Sequence, residues 1–363
     1  MDKITRRSFI QKSVVTGVGI AAFPMIFIPK ARAHWAPKTI VHPNVDNLRV
    51  VGVTDPKMTM GAEQIPLTWA DQEKLVNKKA VEENMDKIAC GLADTRNEGE
   101  AWRAIFIKPP LKSWSDTVVA IKTNYLGVQF TRSAVMAKTC HVLTDILGVV
   151  PSNIHIYDAC TGQNMDRTPF QGLPQGVRLE RDWGGIQTTT SVPPPSIESK
   201  SRCVKHLVSG AVDILINISM CKGHQFTYGN FTMTMKNHFG TFSPNPGHDT
   251  PKASLDYLIA INQTPEILGT MDDKTGKVLF PRQQLCLVDA LWASEDGPGS
   301  RPSHQPNFLA MGVLSPVVDY VVATQFRGKK MGWEPNKDVI RRMLSGFGYS
   351  ASDLPGGGKL IEA

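Results

Sequence analysis

Lys222-Gly-His224 and Lys236-Asn-His238 begin fourteen residues apart, in a run of glycines, threonines and aromatics from Met220 to Phe242. Lys122-Thr-Asn124 repeats the grammar earlier in the chain. Lysine brings a mobile point charge with three donors. Asn and neutral His add a donor and an acceptor in fixed geometry. In an extended backbone, residues i and i+2 point to one side, so each lysine should share a face with the Asn or His that follows it. Such a set suits a phosphate, a carboxylate or an enolate-like anion. Lys122, Asn124, Lys222, Lys236 and Asn237 are the expected anion-binding residues. His224, His238 and Asp158 are the expected proton-transfer groups. Gly223, Gly229 and Gly240 permit tight turns and close approach by a ligand.

The histidines admit a second chemistry. With Asp158 or Asp289 they would form a nitrogen–oxygen metal set. Against it, the spacing is no HExxH, and a lysine beside each histidine disfavours a cation. Asp289-Ala-Leu-Trp-Ala-Ser-Glu-Asp-Gly-Pro-Gly299 supplies further carboxylates. Asp289 and Asp296 would be the ligands if a divalent cation sat over a bound phosphate; otherwise the segment is an ordinary acidic turn. The cofactor is not specified beyond that. Six cysteines, at 90, 140, 160, 203, 221 and 286, form no CxxC pair, so a compact iron–sulfur motif is absent. Neither Cys160 nor Cys221 has a base at a diagnostic spacing, and no GxSxG elbow or nucleotide-binding glycine fingerprint occurs.

These residues need elements to hold them. Thr117–Lys122, Ile154–Tyr157, Ala211–Ile218 and Leu285–Asp289 read as buried strands. Between the first two, apolar residues from Arg132 to Leu147 recur at helical spacing, stopped by Gly148. Strand, loop, helix, strand is the βαβ pattern, and in it the residues just past strand carboxyl ends line the ligand crevice. Lys122, Asn124 and Asp158 occupy such places. Leu48–Val53 suggests an early strand, Glu63–Lys87 a charged helix and Asn97–Lys108 another. A helix is expected from Pro251 to Ile261, capped by Asp249 or Thr250. Pro316–Ala323 reads as a strand and Asn336–Leu344 as a last helix. The expected fold is α/β: a largely parallel central sheet flanked by helices, with a long irregular lid or insertion over 159–205. An N-terminal extension occupies 34–110, the α/β domain 111–325, and a C-terminal helix and tail 326–363.

Residues 1–33 carry a different message. Arg6-Arg7-Ser8-Phe9 precedes an apolar run of about fifteen residues interrupted by Gly17, Gly19 and Pro24, then Ala31-Arg32-Ala33. This looks like a twin-arginine export signal cleaved near Ala33; the run is shorter than the roughly 20 residues of a spanning helix. The expectation is a periplasmic protein handled by the export machinery for folded proteins, with no membrane span after cleavage. The segment holds six basic residues and one acidic residue, so its removal lowers the formal charge from +7 to +2. With no basic tract interleaved with aromatics, nucleic acid is excluded as an expected partner.

Five short segments resemble domain-of-unknown-function family 362: VAIKTN (119–124), DILINIS (213–219), CKGH (221–224), TMKNHFG (234–240) and VDALWASEDGPG (288–299). The resemblance spans roughly Val118 to Val322. It implies an α/β domain with Lys122, Asn124, Lys222, His224, Lys236 and Asn237 at signature positions, and it implies no particular activity. Some members of that family carry ferredoxin modules; this chain lacks the cysteine-rich segment, so electron transfer does not follow. Ala290 also departs from the glycine usual after the aspartate. Two classes stay open. One is an exported enzyme acting on a small phosphate- or carboxylate-bearing substrate, with lysine anchoring and histidine proton transfer. The other is a non-catalytic periplasmic binding or accessory protein for a redox or respiratory complex.

Overall fold

The computed structural model describes residues 35–61, 64–167, 169–249 and 254–363. The arginine pair and apolar run of residues 1–33, and the cap expected at Thr250-Pro251, lie outside them.

Eight strands form the central sheet: β1 (Val51–Thr54), β2 (Val119–Lys122), β3 (Ile154–Tyr157), β4 (Arg178–Glu180), β5 (Ile214–Met220), β6 (Gln283–Ala290), β7 (Phe308–Gly312) and β8 (Ile361–Glu362). Their order across the sheet is β8-β1-β7-β6-β5-β2-β3-β4. Strands β6, β5, β2, β3 and β4 are mutually parallel, and β7 pairs antiparallel with both β6 and β1. β8 lies parallel to β1 through Val51–Ile361 and Gly52–Glu362 pairs. From β2 the chain moves outward to β3 and β4, then returns to place β5 on the other side of β2. That reversal makes the carboxyl ends of β2 and β5 a topological switch point, where an open parallel sheet has a natural crevice.

Side-chain alternation splits the apolar residues between two faces. Ile121, Ile216 and Leu287 face helices α1 (Trp69–Leu75) to α4: α2 (Lys78–Ala93), α3 (Glu98–Ile105) and α4 (Ser133–His141) supply Val81, Trp102 and Val135 to this layer. Ala120, Leu215 and Val288 face α5 (Ser254–Ile261), α6 (Ser315–Val321) and α7 (Lys337–Gly346), which contribute Leu258, Val318 and Ile340. The single charged helix expected before residue 87 is two helices, because the Asn77 side chain accepts from Ala80 N and caps α2 afresh.

The Pro316–Ala323 strand is a helix. Pro316 stands in the first turn of α6, where its missing N–H costs nothing, and Val317, Val318, Val321 and Val322 recur at helical spacing and are all buried. Beyond α6 the backbone continues in wider π-type turns over Val322–Lys330. The region expected to be irregular contains order: β4 joins the central sheet, and Thr188–Ser191 pairs antiparallel with Lys200–Cys203. No helix among the described residues is long and apolar enough to cross a membrane.

Candidate functional site

The three Lys-containing segments meet at the switch point, but they pair across segments and not within them. Lys122 ends β2 with its side chain fully buried. Its Nζ donates to Thr123 O at 2.5 Å and to Asn237 Oδ1 at 3.4 Å, and lies 3.5 Å from Asp158 Oδ1. Burial pulls its ammonium pKa down, and Asp158 partly offsets this. Asp158, past the end of β3, also accepts from Tyr125 N at 3.0 Å and Thr161 Oγ1 at 2.8 Å. Asn237 donates to Asn217 Oδ1 at 2.8 Å and Ile218 O at 3.1 Å, which ties the loop to β5. Gly240, at φ +111, presses on this knot: a Cβ there would stand 2.3 Å from Asp158 Oδ1.

Lys222 is buried too. Its Nζ donates to Asn124 Oδ1 and Leu126 O, each at 2.7 Å, so Asn124 serves Lys222 and not Lys122. Desolvation brings its pKa to about 7; Asp158 raises it, while Arg132 and Lys122 lower it further. Glycines let the neighbouring loops touch. A Cβ on Gly223 would sit 1.7 Å from Glu295 O, and one on Gly127 2.7 Å from Gly299 Cα. Buried Arg327, from the π-type turns, donates to Ser294 O at 3.1 Å and Glu295 O at 3.3 Å and so fixes the third loop.

Lys236 and His238 do not share a face. Residues 236–238 form a turn of 3₁₀ helix, so the i, i+2 rule of extended chain fails there. His238 points inward and is fully buried: Nε2 meets Gln283 Oε1 at 2.7 Å and Asn217 Nδ2 at 3.0 Å, and Nδ1 meets Thr241 Oγ1 at 3.3 Å. Burial lowers its pKa to about 3. Lys236 points outward onto aromatic rings, with Nζ 3.8 Å from the Tyr228 centroid, 4.0 Å from the Phe239 centroid and 3.4 Å from His248 Nε2. Desolvation alone lowers its pKa to about 7, and no carboxylate among the described residues offsets that. His224 packs edge-on to Tyr228 at 4.9 Å. Burial, then the charges of Lys236 and His248, bring its pKa to about 3.

The site therefore has two parts. The inner one, Lys122–Asp158–Asn237 with Lys222–Asn124, is a satisfied polar framework. The outer one is a cluster of Lys236 with Tyr228, His224, Phe239 and His248 just beneath the surface: Tyr228 is buried, His224 and Phe239 half-buried, and His248 exposed.

The carboxylates expected at a cation lie elsewhere. Asp289 is on the opposite face of the sheet, where Oδ2 accepts from Arg132 N at 2.8 Å and Oδ1 from Leu291 N at 3.2 Å. With Glu73, which accepts from Ser133 N at 3.1 Å, it caps α4. Asp296 is exposed and contributes its carbonyl to Gly223 N at 3.2 Å. Among the described residues, no three or more His, Cys, Asp or Glu side chains are grouped to hold a metal ion. No disulfide joins any of the six cysteines.

Several site residues carry a legible signal that the motif reading passed over. Asn217 is polar within the apolar run of β5, and Asp319 within that of α6; a buried polar residue in an apolar run needs partners. Asp319 accepts from Thr234 N at 2.8 Å and Met235 N at 3.0 Å, and so holds the turn that carries Lys236. Tyr228, Phe239 and His248 have no local signature.

An α/β sheet with a lysine-rich loop cluster at its switch point is the class that fold and site define. The chain belongs to the family described as domain of unknown function (DUF362), which matches residues 119–324. No curated protein and no solved structure matches it.

Proposed function

We propose that the protein binds a small carboxylate- or phosphate-bearing ligand in the outer pocket, as an exported enzyme with Lys236 as anchor and His224 as proton carrier. The observation that carries this reading is the isolation of Lys236: a lysine only 8 % exposed, resting on two aromatic faces, with no carboxylate partner among the described residues. An arriving anion would supply that counter-charge. It would favour the ammonium form of Lys236 and raise the basicity of His224, bringing a proton donor to the ligand. In this reading Lys122, Asn124, Lys222, Asn237 and His238 position the loop, and Asp158 neutralises Lys122. The charge set fits an anion better than a cation, so a divalent metal would have to arrive with the ligand.

Isothermal titration with inorganic phosphate and with succinate tests the pocket. Saturable binding of at least one is expected, weakened roughly tenfold or more in Lys236→Met; equal binding by variant and wild type, or no saturable binding at all, rejects it.

Export to the periplasm is supported by Arg6-Arg7, the interrupted apolar run and Ala31-Arg32-Ala33. Replacing both arginines by lysine should trap the full-length protein in the cytoplasm, as read by fractionation. Unchanged export of that variant would reject the twin-arginine route.

The accessory-protein reading has one observation behind it. The loops after β2 and β5 expose apolar Leu126, Val128 and Phe226, a surface suited to a protein partner such as a periplasmic redox complex.

A further inference from the structure

The segments that carry three lysines meet at the switch point, and the lysine nitrogens reach different partners. Lys122 is engaged by Thr123 O, Asn237 Oδ1 and Asp158. Lys222 is enclosed and donates to Asn124 and Leu126. Lys236 sets its nitrogen beside exposed His248 and half-buried Phe239, with half-buried His224 in the same cluster.

Its surroundings suit a nucleophilic amine. Aromatic faces at 3.8 and 4.0 Å exclude water from the nitrogen and accept positive charge once it forms there. His248 Nε2, at 3.4 Å, can take or return a proton. Among the described residues no carboxylate holds the nitrogen as an ammonium, and burial lowers its pKa to about 7, so a large fraction is neutral near that pH.

We infer that Lys236 forms an imine with a small 2-oxo acid, so that the carboxylate-bearing ligand of the proposed function is also an electrophile. This inference rests on that reading. The bound carboxylate favours the ammonium, which His248 deprotonates; the neutral Nζ so formed attacks the 2-oxo carbon, and a proton passes from nitrogen to the former carbonyl oxygen, giving a carbinolamine. A second proton, relayed through His248 or His224, lets that oxygen leave as water while the nitrogen lone pair forms the C=N bond. The product is an iminium ion plus one water, with no oxidant or reductant consumed. Its positive nitrogen stays over Tyr228 and Phe239, and the adjacent carboxylate provides a counter-charge that no described residue supplies.

The test uses the whole protein, pyruvate as probe and sodium cyanoborohydride, which reduces the iminium to a stable secondary amine. Peptide mass spectrometry should place the adduct on Lys236 at about tenfold or more above the surface lysines, given the larger neutral fraction of a lysine with a lowered pKa. In Lys236→Arg, which keeps the charge but not the nucleophile, that adduct should vanish. Labelling of the unmodified protein at a series of pH values gives a readout that survives a misfolded variant: the Lys236 adduct should plateau just above pH 7, while surface lysines continue to gain label past pH 9. Adducts spread evenly over lysines, or a Lys236 adduct that follows the surface profile, overturn the inference. Succinate binding that depends on Lys236 without any pyruvate adduct overturns the imine alone and leaves the anion pocket standing; loss of both overturns both.

Discussion

Gly240 sets the tolerance of the inner framework. Its φ of +111 is costly for any residue with a Cβ, and that atom would press on Asp158 Oδ1 and, at 2.9 Å, on Lys122 Cε. Neither can retreat, since both are buried and hydrogen-bonded. Gly240→Ala is therefore expected to cost about 2 kcal/mol or more in urea unfolding, from backbone strain and crowding together. An unchanged midpoint would mean that the loop yields without disturbing the ion pair. Residue types were legible from the chain: lysines and asparagines at strand ends do converge. Their pairing was not. Asn124 follows Lys122 by two yet serves Lys222, because the switch point brings the ends of β2 and β5 side by side. Lys236 and His238 diverge because a 3₁₀ turn replaces extended chain. Which lysine has no carboxylate partner among the described residues depends on groups distant in sequence, so no local spacing announces it.

Glycine contacts hold the three loops together at the level of elements. Gly223 lies against the backbone of residues 295–297, and a Cβ on Gly297 would in turn stand 2.2 Å from Gly223 O. Gly223→Ala must part these two backbones, and it lies between Lys222 and His224. The expected result is destabilisation of about 1–3 kcal/mol together with loss of succinate binding; thermal melting and titration on the same sample would read both. A stable variant with full binding would show that the contact is dispensable. Most strands could be read because β2, β3, β5 and β6 are short apolar runs bounded by polar residues. β7 escaped notice since its run, Phe308–Gly312, continues without alternation toward Leu314, and a strand buried on both faces has no period-two signature. α6 was misread for a related reason: its valines favour strand by type, while their spacing and the preceding proline favour helix.

Across the whole molecule, buried bases make stability depend on pH in a definite direction. Lys222 and Lys236 have folded pKa values of about 7 against 10.5 for free lysine. Between these limits the unfolded chain binds more protons than the folded protein, so stability rises with pH. Above about pH 9 half-buried Cys160 and buried Cys286, raised to about 11 and about 12, ionise more readily in the unfolded chain and offset this gain; above about pH 10.5, where the lysine contribution ends, the trend should reverse. Denaturant midpoints should therefore climb from pH 7 to pH 9, with a gain on the order of 1 kcal/mol per pH unit from each fully desolvated lysine, and Lys236→Met should flatten the climb. A flat or falling profile in the wild type would show that the lysines keep their charge when folded. On the acid side, His238, His224 and His42, lowered to about 3, about 3 and about 4, lose stability as pH falls below 6.5. Asp319, raised to about 6, works in the opposite sense between 3.8 and 6.

The margins of the sheet bear on what the molecule can join. β8 is two residues long, yet Ile361 N and Ala363 N donate to Val50 O and Gly52 O, both at 3.0 Å, and occupy the outward backbone groups of β1. At the other margin β4 is only three residues, with charged Arg178 and Glu180 flanking Leu179. Neither border offers the long, flat, apolar row that recruits a foreign strand. Association of the central sheet with another macromolecule then runs through side chains, those of the loops above the switch point among them.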